Sequence, residues 1–405
     1  MPGPLAGIRV FDMSRVLAGP SCAQLLGDLG ADVIKVERPG EGVDTRKWGP
    51  PFLKGADGRE TTESAYYLAA NRAKRSLTLD FTKLAGRDLA RRLIACSDVL
   101  IENYKVGTLA KYGLGHAEVR AEFPRLVYCS ITGFGQTGPY APRAGYDYLI
   151  QAMGGIMSVT GEREGEPMKV AVAIADLMTG MYSTVAILAA LRHRDAAGEG
   201  QHIDMALLDT QVAWLANLGQ GYLTSGELPA RLGNAHATVV PYQVFKTADS
   251  HIVLAIGNDG QFRKFCDFAG ASGLAHDPRF ATNPARIRNR AELIPQMSGV
   301  ISRETSAYWI AEFERIGVPC GPINNLAQVF ADPQVEARGM TAELLHPAAG
   351  GQLTRLIANP IKFSETPISY DRAPPMLGQH TDEVLREFLG LSVTEIASLR
   401  NDGII

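Results

Sequence analysis

The sequence predicts an α/β protein with a doubly wound parallel sheet and a second, smaller domain. Three observations carry that expectation. Short β-rich runs alternate with helical patterns through the N-terminal half, the texture of separate βαβ units. The pattern changes around Thr224–Pro229 and returns to strands after Ala342. The 405 residues also exceed what one hydrophobic core usually organises.

In order, Ile8–Asp12 reads as a strand, and after the Gly19-Pro20 break Ser21–Leu29 reads as a helix with Leu25, Leu26 and Leu29 on one face and Gly30 at its end. Asp32–Glu37 is a strand, Ser76–Leu79 another, Lys83–Cys96 a helix, and Val99–Glu102 and Arg125–Ile131 two further strands. Ile203–Leu208 leads into a helical segment reaching Tyr222. The middle region carries strands at Tyr242–Lys246 and His251–Ile256, then helices near Gln261–Ala269, Arg286–Arg303 and Ser306–Ile316. The tail has strands at Ala342–His346 and Gln352–Ile357, and Ser392 with Glu395 opens a final helix as a capping box.

Composition narrows the function classes. Apolar residues make up 46% and charged residues 20%, the balance of a folded soluble chain. A formal net charge of −3 gives no basic excess for phosphate-backbone binding, so nucleic acid is not the expected partner. Cys22, Cys96, Cys129, Cys266 and Cys320 form an odd set without a C-x-x-C pair, which fits reduced thiols and a cytoplasmic location. The N-terminus lacks the pattern of a signal peptide. Val170–Leu191 is apolar enough to imitate a membrane span, but Asp176 and its Thr, Ser and Gly residues favour a buried helix. The eight histidines offer no i, i+4 pair, and no metal site is expected.

Gly133-Phe-Gly135-Gln-Thr-Gly138 matches G-x-G-x-x-G after a strand, yet Pro139-Tyr-Ala-Pro142 follows where a dinucleotide site needs a helix. The expectation is a glycine-permitted turn. Asp176 is the one acid in its apolar stretch, where Ala171–Ala175 hands over to the helical run Leu177–Leu191. Asp is a preferred N-cap, and the helix dipole would hold its carboxylate ionised. On the residues alone the plain N-cap is the favoured reading and a chemical role the second.

Several blocks form a larger pattern: Arg15-Val-Leu-Ala-Gly-Pro20, the run Leu25–Gly40, Asn71 with Lys74-Arg75-Ser76, Glu102-Asn-Tyr104, Ser130-Ile-Thr-Gly-Phe-Gly135 and Gly145-Tyr-Asp147. Through them the chain resembles, over nearly its full length, the class III CoA-transferases, the family of formyl-CoA transferase, carnitine CoA-transferase and α-methylacyl-CoA racemase. Asp44-Thr-Arg46, Trp48–Phe52, Gly317–Asn325 and Pro374–Thr381 make it most similar to the succinyl-CoA–glutarate CoA-transferase branch.

The resemblance implies a Rossmann-like large domain made from both chain ends, here residues 1–225 and 335–405, a small α+β domain at 226–334, and an interlocked homodimer. It implies that Asp176 is the nucleophile. Its carboxylate would take the acyl group of a donor thioester and then carry CoA as a thioester before handing it to the acceptor acid. CoA is implied as a substrate, with no permanently bound cofactor. Its binding is implied for Val16, Leu17, Ala18, Arg38, Lys74, Asn103, Tyr104 and Lys111, and a glycine-rich loop near the active site for Gly257, Gly260 and Gln261. Leu17 and Thr132 replace a glutamine and a lysine of formyl-CoA transferase, which puts oxalate as acceptor in doubt. A dicarboxylic acceptor would need a cation for its remote carboxylate, and Arg15 or Arg46 could supply it. The alternative is a racemase-type isomerase, disfavoured because Tyr146 stands where racemases place histidine and an unperturbed phenol, pKa about 10, makes a poor base at neutral pH. A non-enzymatic acyl-CoA-binding protein is the third possibility.

Overall fold

The computed structural model describes residues 3–405, which divide into two compact units. The larger comprises the described residues up to Ile156 together with Lys169–Leu223 and Gln334–Ile405; the smaller comprises Met157–Met168 and Thr224–Pro333.

Among the described residues thirteen strands follow in chain order: β1 (Arg9–Asp12), β2 (Asp32–Glu37), β3 (Phe52–Lys54), β4 (Glu60–Ser64), β5 (Lys74–Thr78), β6 (Val99–Glu102), β7 (Val127–Thr132), β8 (His202–Ala206), β9 (Tyr242–Lys246), β10 (His251–Ala255), β11 (Cys320–Pro322), β12 (Thr341–Leu345) and β13 (Leu353–Ile357). The larger unit is a mixed α/β fold on a six-stranded sheet of order β5-β2-β1-β6-β7-β8, parallel throughout. Both faces are covered, so successive strand residues enter different cores. Val10, Val99 and Ile101 pack into one core with the helices Ala18–Asp28 and Ile174–Ala197. Phe11 and Leu100 enter the other with the helix Leu84–Ala95 and the C-terminal helices Thr381–Leu389 and Val393–Asn401. The chain end is stitched to β5 and its exit: His380 N donates to the Ser76 carbonyl at 2.9 Å and Asp80 N to the Ile404 carbonyl at 2.7 Å.

The helix Ile174–Ala197 is 24 residues long and apolar enough to cross a membrane by length and composition, and half of its most apolar window is buried inside the protein. It lies close against the helix Ala18–Asp28 because residue 180 is glycine: a Cβ there would meet the Ala18 carbonyl oxygen at 2.7 Å.

The smaller unit holds the antiparallel sheet β11-β10-β9. Its core gathers Phe262, Phe265, Trp309 and Phe313. Two helical segments expected to be continuous are broken. Asn289 divides Asn283–Arg288 from Arg290–Ile301, and Trp214–Leu215, followed by Ala216 with φ of 45°, divides Leu207–Ala213 from Ala216–Ser225.

Candidate active site

The strand order of the large sheet reverses between β1 and β6, and ligands of open α/β sheets bind beyond the carboxyl ends of the strands at such a point. A cavity of about 410 Å³ lies there, walled by Arg15–Ala18 after β1, Asn103–Val106 after β6, Ile131–Gly133 at the end of β7, Arg143–Tyr146, and Asp176.

The turn after β1 is fixed from below. Asp12 is fully buried between Lys74 Nζ at 3.1 Å and Lys35 Nζ at 3.7 Å. Burial acts to raise its pKa, but the two ammonium groups and Ser14 more than offset that and hold it below the usual carboxylate range. Lys35 donates to the Ser14 carbonyl at 2.9 Å, and the Asn103 amide grips Arg15 at both its N–H and its carbonyl. So held, Val16 adopts φ of 66°, a left-handed conformation costly for a β-branched residue. Leu17 follows as N-cap of the helix Ala18–Asp28 and has no side chain to accept from the first-turn N–H groups. A helix N-terminus without a side-chain cap is thereby aimed at the cavity.

Asp176 sits in the first turn of the helix Ile174–Ala197, two residues inside its first residue. This corrects the N-cap expectation: the helix starts at Ile174, before Asp176. The capping acid comes from elsewhere in the chain. Asp147 Oδ1 accepts from Ala175 N at 2.8 Å and Asp176 N at 3.4 Å, while its Oδ2 accepts from Gln151 Nε2 at 2.8 Å. Asp147 therefore already takes the favourable charge of the helix start. Asp176 is 8% exposed, and burial, seconded by the Asp147 charge, pushes its pKa up to about 7. A depressed pKa was expected; the structure gives the opposite sign, because desolvation and a like charge both disfavour the anion. Near neutral pH the carboxylate and its protonated form are then both populated.

A pH prediction follows. Asp147→Asn keeps an oxygen for the cap and removes the like charge, so the pKa of Asp176 falls. Carboxyl titration followed by NMR measures this, and an unmoved Asp176 titration would show that Asp147 exerts no such influence.

The cavity gathers Arg15, Val16, Leu17, Ala18, Asn103, Tyr104 and Asp176. Arg15 stacks over Tyr104 at 5.0 Å and stands 3.8 Å from Asp44. Arg38 lines an adjacent cavity of about 330 Å³ that shares Arg15, Asp44 and Tyr104, and is paired at 3.1 Å with Glu41. Lys111 is exposed on a short 3-10 turn away from both walls.

Three expectations need correction. Lys74 is fully buried, its ammonium bonded to Asp12, the Pro20 carbonyl and Asn71, with burial lowering its pKa to about 8; it supports the fold and offers nothing to a ligand. Arg46 is buried too: Nε and Nη2 grip Glu37 at 2.8 Å each and Nη1 meets Glu63 at 2.9 Å, so it is unavailable to an acceptor. Gly257, Gly260 and Gln261 belong to the smaller unit and form a helix start rather than a glycine loop. Asn258 caps the helix Asp259–Phe268 by accepting from Gln261 N, and Gln261 Oε1 accepts in return from Gly257 N.

Sequence reasoning missed Asp147 as the capping acid, Gln151 behind it, and Arg143 in the cavity wall. The first two stand four residues apart on the helix Asp147–Met153, a spacing visible in the sequence. The Gly133–Gly138 stretch is a turn, as expected, with Gly135 and Gly138 both at φ of 86°.

A parallel α/β sheet whose switch point carries a nearly buried carboxylate beside a helix N-terminus is suited to acyl chemistry on an anionic thioester. The family profile of CoA-transferase family III matches residues 5–381, and the chain belongs to that family as a CoA-transferase. It is 52% identical over 388 residues to the succinate–glutarate CoA-transferase of Agrobacterium fabrum, covering 95% of each chain. It is 42% identical over 402 residues to the human succinyl-CoA:glutarate CoA-transferase, covering 99% of this chain and 90% of the relative. Among solved structures, a CAIB/BAIF family protein from Brucella suis superposes with a TM-score of 0.85 at 49% identity, covering 96% of this chain and all of the other. These relatives do not favour the isomerase reading. Among the described residues, no group of three or more His, Cys, Asp or Glu side chains could hold a metal ion.

Proposed function

We propose that this enzyme moves coenzyme A from succinyl-CoA, or a similar acyl-CoA, to a free dicarboxylate such as glutarate. Asp176 attacks the thioester carbonyl and expels CoA thiolate, giving a mixed anhydride. The thiolate attacks the aspartyl carbonyl, releasing the donor acid and leaving an aspartyl-CoA thioester. The acceptor carboxylate attacks that thioester, the thiolate returns to the acceptor's acyl carbon, and Asp176 is freed. The N–H groups at the start of the helix Ala18–Asp28 are the donors for the oxyanion of each tetrahedral intermediate. Arg15 and Arg38 provide cations for CoA phosphates, and Tyr104 a face for its adenine. No permanently bound cofactor is needed for these steps.

The observation that carries this reading is Asp176 itself, in the wall of the switch-point cavity that Val16–Ala18 also line. The names of the relatives support the choice of substrates. Incubation with succinyl-CoA and a panel of dicarboxylates, followed by mass spectrometry, should yield new thioesters and an acylated peptide containing Asp176. Deuterium uptake at Cα without thioester exchange would select the isomerase instead.

We further propose a Rossmann-like larger unit, a homodimer and a cytoplasmic location. The exposed side chains of Leu177, Met181 and Val185 form a stripe at four-residue spacing on one helix, which suits a subunit contact. All five cysteines are free thiols, as a reducing compartment requires.

A further inference from the structure

We infer that Arg143 binds the remote carboxylate of the dicarboxylic acyl group, a role resting on the CoA-transfer reading above. Three cationic side chains line the cavity that contains Asp176: Arg15, Lys105 and Arg143. Arg15 is drawn toward Asp44 and lies over Tyr104, on the side shared with the Arg38 cavity. Lys105 and Arg143 are both exposed, and Lys105 stands at a wall shared with a third cavity, around Glu102 and Ser130. Arg143 makes no ion pair among the described residues. Its guanidinium is instead held over two rings, 4.5 Å from the centre of Tyr140 and 5.3 Å from that of Phe134.

That arrangement suits a carboxylate receptor. Stacking fixes the plane of a guanidinium while leaving its N–H edge free, so a bidentate pair forms with little further ordering. The loop carrying it is pinned at both ends. Gly133 and Gly145 approach so closely that a Cβ on either would stand 2.5 Å from the other's Cα, which closes residues 133–145 into a compact loop. Gly133 follows β7, and Gly145 lies two residues before Asp147, the cap of the Asp176 helix. The fork of Arg143 and the nucleophile are thus mounted on one connected scaffold, one to hold the far end of the acid and the other to receive its near end. A fork is worth more than a point charge here because both carboxylate oxygens must be met in a site open to water.

In a double-displacement scheme kcat/KM for the acceptor depends only on the enzyme–CoA form and the acid, so acceptor choice can be read at any donor level. With succinyl-CoA as donor, kcat/KM is measured for glutarate and for butyrate, which lacks the second carboxylate. Arg143→Met should lower the glutarate-over-butyrate preference roughly tenfold to hundredfold, the worth of one charged hydrogen-bonded pair. Arg143→Lys keeps the charge without the fork, should fall between Met and wild type, and remains informative if the Met variant does not fold. Intact transfer with the preference within threefold of wild type in both variants would overturn the role of Arg143 and leave the CoA-transferase reading standing. A wild-type enzyme that transfers CoA to no carboxylic acid would overturn both.

Discussion

Asp176→Asn is expected to lower the kcat of CoA transfer by about 10⁴-fold or more and, at the same time, to make the folded chain more stable at pH 8. The first effect follows because the proposed covalent intermediates form on Asp176, and loss of a nucleophile removes every step that depends on it. The second follows from linkage. The folded pKa of Asp176 is about 7 against an ordinary 3.8. Between those values the folded state holds more protons than the unfolded, so stability declines as pH rises from about 4 through about 7, and the deficit is complete above. Three units correspond to a burden of about 4 kcal/mol. Asparagine keeps the shape and loses the charge, so the gain in Tm should be large at pH 8 and small at pH 5. Thermal melts at the two pH values, beside an activity assay, test both halves. An inactive variant with no pH-dependent gain would mean that Asp176 is not strained by burial, and a fully active one would end the mechanism.

That strain explains why some of the site was legible in the sequence and some was not. The strands flanking the switch point are short runs of Val, Ile and Leu covered on both faces, a local signal strong enough to place β1, β2 and β6 within a residue or so. The first turn of the Asp176 helix carries no such local signal. Its N–H groups are capped by Asp147 from 28 residues away in sequence, so a reading that looked for the nearest acid chose Asp176 as the cap and inferred a depressed pKa. Lys74 was read as a ligand contact because a lysine is normally solvated. The structure places it on a doubly covered strand, paired with an aspartate 62 residues earlier. By contrast, the start of the helix Asp259–Phe268 has its cap spelled out locally by Asn258 and Gln261. The mistake there came from resemblance, which suggested a loop where these residues favour a cap.

Arg46 gives the second large effect, on the fold rather than on acceptor choice. Arg46→Met should destabilise the protein by about 3–5 kcal/mol at neutral pH, the usual cost of leaving a buried charge without its partner. The wild-type guanidinium lies 3.8 Å from the Tyr67 ring centre and donates to Glu37, Glu63, the Tyr67 hydroxyl and the Pro375 carbonyl. For Glu37, burial raises the pKa, but Arg46 and its other neighbours bring it below the usual value, so its pairing adds stability above its unfolded pKa and loses it as pH falls. Without Arg46 only Lys35 and Ser76 are left to oppose burial, so the Glu37 pKa rises and the variant loses, as pH rises through the mildly acidic range, stability that the wild type keeps. The gap in Tm between wild type and variant should therefore be widest near pH 7.5 and narrow toward pH 4.5, and Glu37→Gln in the same chain should recover part of it. Steady-state kinetics on the folded fraction should show glutarate and butyrate affected alike. If Arg46→Met instead melts like wild type and raises the KM for the dicarboxylate alone, the arginine faces the substrate, and the buried pairing with Glu37 is not what holds it.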